Sequence, residues 1–301
     1  MHVPLRTFFL SLTFQNFYFH CYFIFLRNIL KHAKWHKLFA VLFSCMIVAS
    51  GLFVAMSTPS VVYVDVPLRN LSKSQENITI ALLTDIHIGP SVGRSRIQKI
   101  VDIVDSLQPG IVAIAGDLAD GFVQNLKGAA EPLKYLHSKY GSYFATGNHE
   151  YIHGGVDEWF SFLRESGITP LHNEHAIVSL NESSIFVGHK MDYKKALSGC
   201  SNSTNEVVIL LTHQPNAARI ILDDSSVNKH IHLILSGHTH SGQMYVFVPI
   251  VYALNAFVRG LYYDAVRDTF VYVSAGVNYF GPPVKMISTC EIILLKLVKQ
   301  V

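Results

Sequence analysis

From residue 78 onward, continuous apolar runs alternate with segments whose apolar residues recur every three or four positions. The run "ITIALLTDIH" is predominantly apolar until its polar end, which is typical of a strand buried on both faces. In "RSRIQKIVDIVDSLQPG" the apolar residues fall at helical spacing, and the Pro-Gly pair ends the predicted helix. The alternation continues, with extra strands near the C-terminus, and predicts an α/β domain of about 220 residues.

The same reading assigns the remaining segments. Further predicted strands are "IVAIAGDLAD", "SYFATGNHE", "SSIFVGHK", "EVVILLTHQP", "HIHLILSGHTH", "TFVYVSAG" and "EIILLKLV". Further predicted helices are "AAEPLKYLHS" and "VDEWFSFLRESG". Residues 58–76, which precede the first strand, are polar and mixed, and we interpret them as a linker.

The N-terminal part has a different pattern. Residues 38–56 form an uninterrupted stretch of 19 residues without charge, about the length that crosses a bilayer as a helix. A core helix of a soluble protein seldom runs this long without a polar face, and the apolar part of a cleaved signal peptide is shorter and nearer the start. We therefore interpret residues 1–57 as a membrane anchor. Residues 8–26 are aromatic but interrupted by polar residues, and are either a second span or an interfacial segment.

Charge changes this picture in one respect. Residues 1–60 contain no acidic residue and five basic ones, and without those five the chain holds 19 Lys and Arg against 21 Asp and Glu. The formal charge of +3 thus belongs to the N-terminus, and no basic patch predicts a nucleic-acid partner. Basic flanks stay cytoplasmic, so "RNILKHAKWHK" before the span predicts a lumenal or extracellular domain in a glycoprotein. Four N-glycosylation sequons after the span agree, at Asn70, Asn77, Asn181 and Asn202.

The residues that carry chemistry follow the predicted strands. Five strands end in a short burst of metal-capable residues, and ligands of open α/β sheets bind at these carboxyl ends. The bursts contain Asp85 and His87, Asp117 with Asp120, Asn148 with His149 and Glu150, His213, and finally His238 with His240. Each motif alone is weak evidence, because Gly-Asp is an ordinary turn and a lone His is usually a core residue. The ordered set predicts a metal site.

This mixture of ligands suits two divalent ions. Two such ions about 3.5–4 Å apart hold a phosphate and activate a water between them, so that the bridging hydroxide acts as the nucleophile. Oxygen and imidazole ligands together favour Mn, Fe or Zn, without deciding between them. The Gly before a ligand lets the backbone turn sharply at the strand end without a Cβ clash.

The order of these motifs resembles the calcineurin-like metallophosphoesterases over about residues 78 to 298. "LLTDIHIG", "GDLAD", "TGNHEY", "LTHQP", "SGHTHSGQ" and "VSAGVNYFGPPVKM" are most similar to the membrane-associated branch of that superfamily. The resemblance implies a sandwich of two β-sheets flanked by helices over residues 77–301, after one or two transmembrane helices. It also implies hydrolysis of a phosphoester, with a phosphodiester as the expected substrate.

Residue roles follow from the same resemblance. It implies that one metal is held by Asp85, His87, Asp117 and His240, and the other by the bridging Asp117 with Asn148, His213 and His238. His149 would stand beside the phosphate, either stabilising charge or protonating the leaving oxygen. Asp120 and Glu150 would orient the ligands. Two departures, Glu150 for the commoner Asp and Ser241 for the usual Gly, remove no ligand.

Several alternatives stay open. The apolar segment 246–262 is either a core helix over the sheet or a lip that suits a lipid-linked phosphoester at the membrane surface. A membrane receptor or scaffold that keeps the fold but little activity is the competing function, although such proteins usually lose a bridging ligand. Cys200 and Cys290 are a candidate disulfide in an oxidising compartment. The lipid bilayer and the substrate are the expected partners, and no protein partner is predicted.

Overall fold

The structure is a computed structural model that describes residues 24, 26, 27, 34–180, 183–189, 193–200, 203 and 205–300. Two compact units divide the chain, residues 1–50 and 51–301. The candidate second span at residues 8–26 lies almost entirely outside the described residues, as do the sequons at Asn181 and Asn202.

Helix α1, Lys34–Met56, contains the predicted span. Within the described residues, Trp35–Met56 is the one helix long and apolar enough to cross a membrane. Only 11% of its most apolar window is buried, so the helix is not a core element of a soluble domain. Phe39 and Phe43 stack on its surface with ring centroids 5.9 Å apart.

Two six-stranded sheets make up the second unit. The first has the order β1-β12-β2-β3-β4-β5, and the second the order β10-β11-β9-β8-β7-β6. The strands of the first sheet are β1 (Ser60–Leu68), β2 (Thr79–Leu83), β3 (Ile111–Ala115), β4 (Ser142–Ala145), β5 (Ile168–Leu171) and β12 (Glu291–Lys299). Those of the second are β6 (His175–Ser179), β7 (Ser184–His189), β8 (Glu206–Leu211), β9 (Leu233–Ser236), β10 (Gly260–Asp264) and β11 (Thr269–Val273).

The α-helices that follow α1 among the described residues are α2 (Arg94–Leu107), α3 (Val123–Ala130), α4 (His149–His153), α5 (Val156–Glu165), α6 (Tyr193–Ala196), α7 (Pro215–Asp223) and α8 (Val248–Leu254). Apolar side chains of α2 and α5 pack on the first sheet, and those of α7 on the second. A third cluster joins Leu82 and Ala113 of the first sheet to Ile209 and Leu235 of the second, so the sheets face each other. The predicted two-sheet sandwich is confirmed.

Nine of the 19 residues interpreted as a linker form a strand instead. Residues 60–68 form β1, which pairs in parallel with β12 over nine residues. Val66 and Leu68 point into the core, while Ser60, Tyr63 and Asp65 remain exposed. Because β1 lies at the edge of the sheet, its exposed side tolerates polar residues and a proline. The segment therefore lacks the continuous apolar pattern by which the buried strands are predicted.

Two other expectations differ from the structure. Segment 246–262 is not a helix over the sheet, because α8 covers only Val248–Leu254 and every side chain of α8 is at least partly exposed. Cys200 and Cys290 are both free, buried thiols. Cys200 donates to Glu206 Oε2 at 3.1 Å, and Cys290 lies 3.8 Å from the carbonyl oxygen of Ala55.

Candidate metal centre

The five polar bursts meet at the carboxyl ends of two sets of parallel strands. Strands β2, β3 and β4 run parallel in one sheet, and β8 and β9 in the other. Because the two sheets face each other, residues separated by more than 150 positions come together here. The placement agrees with the rule that open α/β sheets bind ligands at this end.

One group joins residues from β2 and from the turn after β9. Asp85, His87 and His240 each offer one ligand atom, and these atoms lie within 4.8 Å of one another. His87 Nε2 lies 3.2 Å from His240 Nε2, and His240 Nε2 lies 3.3 Å from Asp85 Oδ1. Two imidazole nitrogens this close to each other, one of them beside a carboxylate oxygen, are typical of ligands around a cation.

A second group lies next to the first. Asp117, His213 and His238 also offer ligand atoms within 4.8 Å of one another. Asp117 Oδ2 is 3.0 Å from His213 Nε2 and 3.9 Å from His87 Nε2, so this oxygen faces both groups. The other oxygen, Oδ1, accepts the backbone N–H of His149 at 2.9 Å, which fixes the carboxylate.

Asn148 completes the set of expected ligands. It caps the N-terminus of α4, and its Oδ1 is buried and without a hydrogen-bond partner among the described residues. A buried amide oxygen without a partner is costly unless a cation or another donor satisfies it. The residues present therefore fit divalent metal ions.

Contacts behind the ligands orient two of the histidine rings. His87 Nδ1 donates to Asp120 Oδ1 at 2.9 Å, and His213 Nδ1 donates to the carbonyl of Ala115 at 2.9 Å. In both rings the Nε2 atom is thereby left for a metal, as is usual for metal-binding histidines. Asp120 Oδ1 also accepts from His149 Nδ1 at 2.7 Å, which explains a third metal-like group, His87, Asp120 and His149.

Glu150 holds the ligand loops, in agreement with the orienting role that the sequence suggests. Its carboxylate accepts the backbone N–H groups of Gly147, Asp117 and Leu118 at 2.6, 3.1 and 2.7 Å. It therefore orients two ligand loops through their backbone rather than through a ligand side chain. Burial and the charge of Asp117 raise the pKa of Glu150, while these backbone donors act against the rise.

The comparison with known families decides the classification. The calcineurin-like phosphoesterase family matches residues 78–242, which include every one of the expected ligands. The chain belongs to this family.

Relatives of this metallophosphoesterase include membrane proteins. A Caenorhabditis elegans protein named as a metallophosphoesterase is 52% identical over 276 residues, covering 87% of this chain and 57% of the relative. The transmembrane protein with metallophosphoesterase domain of Danio rerio is 40% identical, covering 84% of this chain and 60% of the relative. An uncharacterized metallophosphoesterase of Campylobacter jejuni is 33% identical, with 87% of this chain and 69% of the relative covered.

The chain spans about three fifths of the length of the first two relatives. The name of the Danio rerio relative and the single apolar helix of the described residues together indicate a membrane protein.

The backbone of this metallophosphoesterase is strained at the ligands themselves. Five of them have positive φ angles: Asp85, His87, Asp117, His238 and His240. Such angles are uncommon outside glycine and cluster at functional sites. The preceding glycines Gly116, Gly147 and Gly237 avoid Cβ clashes, as the sequence predicts, and of these three only Gly116 also has a positive φ. A Cβ atom on Gly147 would lie 2.1 Å from Asp117 Oδ1, and one on Gly237 would lie 2.5 Å from Asp85 Oδ2.

Burial and charge act against each other in the site. Burial disfavours ionised Asp117, but the nearby positive charge of His213 holds the pKa of this carboxyl well below its usual range. Burial likewise disfavours charged His213, but Asp117 and Asp85 raise its pKa to about 9. For His240 burial dominates and lowers the pKa to about 3, although Asp85 opposes this. The site thus places anionic carboxylate oxygens beside imidazole nitrogens, which together are the donor set of a divalent cation.

The four histidines of "HIHLILSGHTH" separate into two pairs. His230 and His232 precede β9 with their rings 4.2 Å apart, and His232 Nδ1 accepts the N–H of Val208, so both are structural. His238 and His240 belong to different ligand groups, as the sequence predicts. β9 ends at Ser236, so these two candidate ligands lie in left-handed turns rather than in an extended strand.

Lys285 supports the centre from behind, and the sequence contained no signal for it. Its ammonium group is buried and donates to the carbonyls of Ala275, Gly276 and Asn278 at 2.6, 3.1 and 3.0 Å. A Cβ atom on Gly276 would lie 3.0 Å from Cβ of Asp85, so this segment backs a ligand. Burial lowers the pKa of Lys285.

Tyr279 and Phe280 are adjacent in the chain, but Tyr279 packs in the core and Phe280 lies at the metal centre. Tyr279 is buried and its hydroxyl donates to the carbonyl of Ser91 at 3.2 Å. The half-exposed Phe280 ring lies over the centre, with its centroid 5.1 Å from that of His149 and 5.7 Å from that of His87. Phe280 therefore limits access to the ligands from this side.

Proposed function

We propose that the chain hydrolyses phosphoesters, most simply phosphodiesters, at a dinuclear metal centre. The observation that carries this proposal is the position of Asp117, whose Oδ2 faces His213 of one ligand group and His87 of the other. In the proposed centre Asp85, His87 and His240 hold one ion, and Asn148, His213 and His238 the other. Asp117 bridges the two.

Two divalent ions supply positive charge for the phosphate and activate water as the nucleophile. Mn, Fe and Zn all suit the mixture of oxygen and imidazole donors. The chain contributes fixed ligand geometry, since Asp117 is held by the N–H of His149 and His87 is held by Asp120. Such fixed donors lower the reorganisation that the reaction requires.

His149 is the proposed general acid. Its Nδ1 donates to Asp120, and its Nε2 lies 3.9 Å from Asp117 Oδ2, so Nε2 faces the reacting phosphate. Burial acts to lower the pKa of His149, but the hydrogen bond to Asp120 and the charges of Asp117 and Asp120 raise it. The ring is therefore available in the protonated form, and its Nε2 proton passes to the leaving oxygen.

A cleft beside the second ligand group has room for one ester substituent. Its volume is about 310 Å³, and it is lined by Asn148 and His213 together with Thr146, Tyr151, Gln214 and Ala217. A phosphate that remains esterified on its second oxygen needs such a space next to the metals. The cleft is therefore large enough for the substituent that a phosphodiester keeps after the leaving oxygen departs.

Further, we propose that the natural substrate is a lipid-linked phosphoester. Residues 242–258, directly after His240, carry no charge, and α8 within them is exposed. A substrate embedded in a bilayer would meet this apolar surface before it reached the ligands. The full chain in vesicles should cleave a diester of phosphatidic acid faster than a soluble nucleotide diester at equal concentration. Cleavage of the soluble compound alone would contradict the lipid-linked substrate.

Replacement of the bridging carboxylate tests the enzyme against the scaffold alternative. The full chain, purified in detergent and loaded with Mn, Fe or Zn, should hydrolyse bis(p-nitrophenyl) phosphate and bind two ions per chain by elemental analysis. Asp117→Asn should abolish the metal-dependent turnover, whereas the matched control Asp105→Asn, at an exposed carboxylate, should retain it. Equal low turnover of all three proteins would favour a receptor or scaffold.

The proposed topology places the catalytic unit outside the cytosol. Asn70 and Asn77 are exposed, so the described part of the chain leaves two sequons accessible to glycosylation. Digestion with an endoglycosidase should increase the electrophoretic mobility of the protein expressed in a eukaryotic cell, and Asn70→Gln with Asn77→Gln should reduce that shift. Absence of any shift would contradict the lumenal or extracellular orientation.

A further inference from the structure

The segment after the last metal ligand exposes an uninterrupted series of apolar side chains. We call residues 245–254 the apolar lip. Its large side chains are exposed: Tyr245 58%, Val246 72%, Phe247 46%, Ile250 53%, Tyr252 61% and Leu254 68%. No charged residue occurs between Ser241 and Arg259. A continuous exposed apolar patch of this kind on a protein surface marks an interaction site.

The apolar lip is attached to the rim of the metal centre. Helix α8 packs against the turn that carries His240, since a Cβ atom on Gly242 would lie 2.9 Å from Cγ2 of Val248. Gln243 Nε2 donates to the carbonyl of Phe280 at 2.8 Å, and Gln243 Oε1 accepts the N–H of Phe280 at 2.8 Å. These bonds hold Gln243, two residues before the lip, beside Phe280, whose ring lies over the metal centre.

The same rim holds the end of the candidate membrane span. Residues 51–56 belong to the catalytic unit, and the N–H of Lys285 donates to the carbonyl of Gly51 at 3.0 Å. A Cβ atom on Gly51 would lie 2.7 Å from Cγ1 of Val284. The next residue after Lys285, Met286, donates its N–H to the carbonyl of Gln243 at 2.7 Å. One short segment, residues 284–286, thus contacts both the end of the span and Gln243, two residues before the lip.

The length of the span indicates what covers the lip. About 20 residues are needed to cross the hydrocarbon core, and Trp35–Met56 has 22, so its last turns lie at the membrane boundary. Gly51 is five residues before the end of α1, about 7.5 Å at 1.5 Å per residue. Segment 284–286 contacts Gly51 and is therefore at the bilayer surface. The hydrogen bond from the N–H of Met286 to the carbonyl of Gln243 connects this segment to the residues just before the lip.

We propose that the apolar lip, together with Phe280, inserts into the interfacial region of the membrane that α1 spans. The partner of this surface is the lipid bilayer, which a helix with exposed apolar residues enters to about 5–10 Å. Tyr245 and Tyr252 suit this depth, because tyrosine combines an apolar ring with a hydroxyl that stays in the polar layer. The contact requires no catalysis, and it places the opening of the metal centre at the membrane surface.

Site-specific photo-crosslinking of the full chain tests this contact. The chain is reconstituted in vesicles of phosphatidylcholine and phosphatidylglycerol, with p-benzoylphenylalanine in place of Val246. The matched control replaces Val266, a valine that is 92% exposed in the turn between β10 and β11. The positive control replaces Phe43, an exposed residue of α1. Irradiation should yield lipid adducts at positions 246 and 43 and only background at position 266.

Each other outcome overturns the proposal. An adduct yield at position 246 equal to that at position 266 would show that the lip does not contact the membrane. An adduct between two protein chains at position 246 identifies a second copy as the occupant. Absence of adducts at position 43 would show that α1 does not cross the membrane, and the proposed contact of the lip depends on that span. Repeating the experiment with Asp117→Asn separates the two proposals, because the lipid adduct should persist when hydrolysis is abolished.

Discussion

His149 donates through Nδ1 to the carboxylate of Asp120 at 2.7 Å, and this bond joins the proposed acid to the residue that also orients His87. A single oxygen, Asp120 Oδ1, thus accepts hydrogen bonds from a metal-binding ring and from a proton donor. Its pKa lies well below the usual range, because the hydrogen bonds of His149 and His87 outweigh the effect of burial. One carboxylate therefore couples metal binding to proton transfer.

Asp120→Asn should shift the pH dependence of hydrolysis. The negative charge and the hydrogen bond of Asp120 raise the pKa of His149, so their loss lowers the pKa of that ring. The protonated acid then disappears at a lower pH, and the alkaline limb of kcat against pH moves to lower pH. Activity or metal affinity should also fall about 10–100-fold, as for other partners of metal ligands.

Asp105→Asn is the matched control for this variant. Asp105 makes the same kind of bond, 3.0 Å to His137 Nδ1, but on the exposed surface. Its pH profile should be that of the unchanged protein. If Asp120→Asn lowers kcat at every pH without moving the alkaline limb, His149 is not the acid.

Gly147→Ala should remove activity through sterics alone. The new Cβ atom would lie 2.1 Å from Asp117 Oδ1, so the bridging carboxylate must move. A displacement of about 1 Å costs about a hundredfold in rate, which kcat/KM on an aryl phosphodiester would show. Gly128→Ala is the control, since nothing lies within 4 Å of that position, in helix α3. It should retain activity and gain up to about 1 kcal/mol in stability.

Lys285→Met should weaken both the fold and the metal centre. The substitution keeps the apolar stem but removes the donor of the Ala275 and Asn278 carbonyls, while the Gly276 carbonyl keeps the N–H of Glu291. Each unsatisfied buried group costs about 1–3 kcal/mol, so the thermal midpoint in detergent should fall markedly. Metal affinity should fall too, because this segment backs Asp85. Lys296→Met, at a half-buried position of β12, should change neither quantity. A normal zinc affinity in Lys285→Met would remove the supporting role.

His232 should make the fold less stable in mild acid. Burial, with the nearby His230, lowers the pKa of His232 to about 4 from the ordinary 6.5. Between these values the unfolded chain binds more protons than the folded one, so stability falls as pH falls from about 6.5 to 4. The loss at pH 4 is about 3 kcal/mol at 1.4 kcal/mol per pKa unit.

Unfolding followed by pulse proteolysis at several pH values measures this effect. His232→Asn keeps an acceptor for the N–H of Val208 but does not titrate, so its stability should change less over that interval. His137→Asn, at an exposed histidine, should leave the slope unchanged. Equal slopes in all three proteins would contradict the assignment to His232.

The sequence by itself indicated the candidate ligands and the buried strands that they follow. Asp85, His87, Asp117, Asn148, His213, His238 and His240 each follow an apolar run, and such runs form buried strands for local reasons of hydrophobicity. The apolar span is also a local property, since length and absence of charge define it. Features that depend only on residues close together in the chain can be predicted from the sequence alone.

Tertiary structure decided which distant groups meet. Asp120 reaches His87 and His149, Lys285 reaches the segment behind Asp85, and β1 reaches β12 across more than 200 residues. No local periodicity encodes such contacts, because they depend on sheet order and register. The same holds for the lip: its apolar sequence suits both a buried helix and an exposed one, and only the packing of α8 leaves it facing outward.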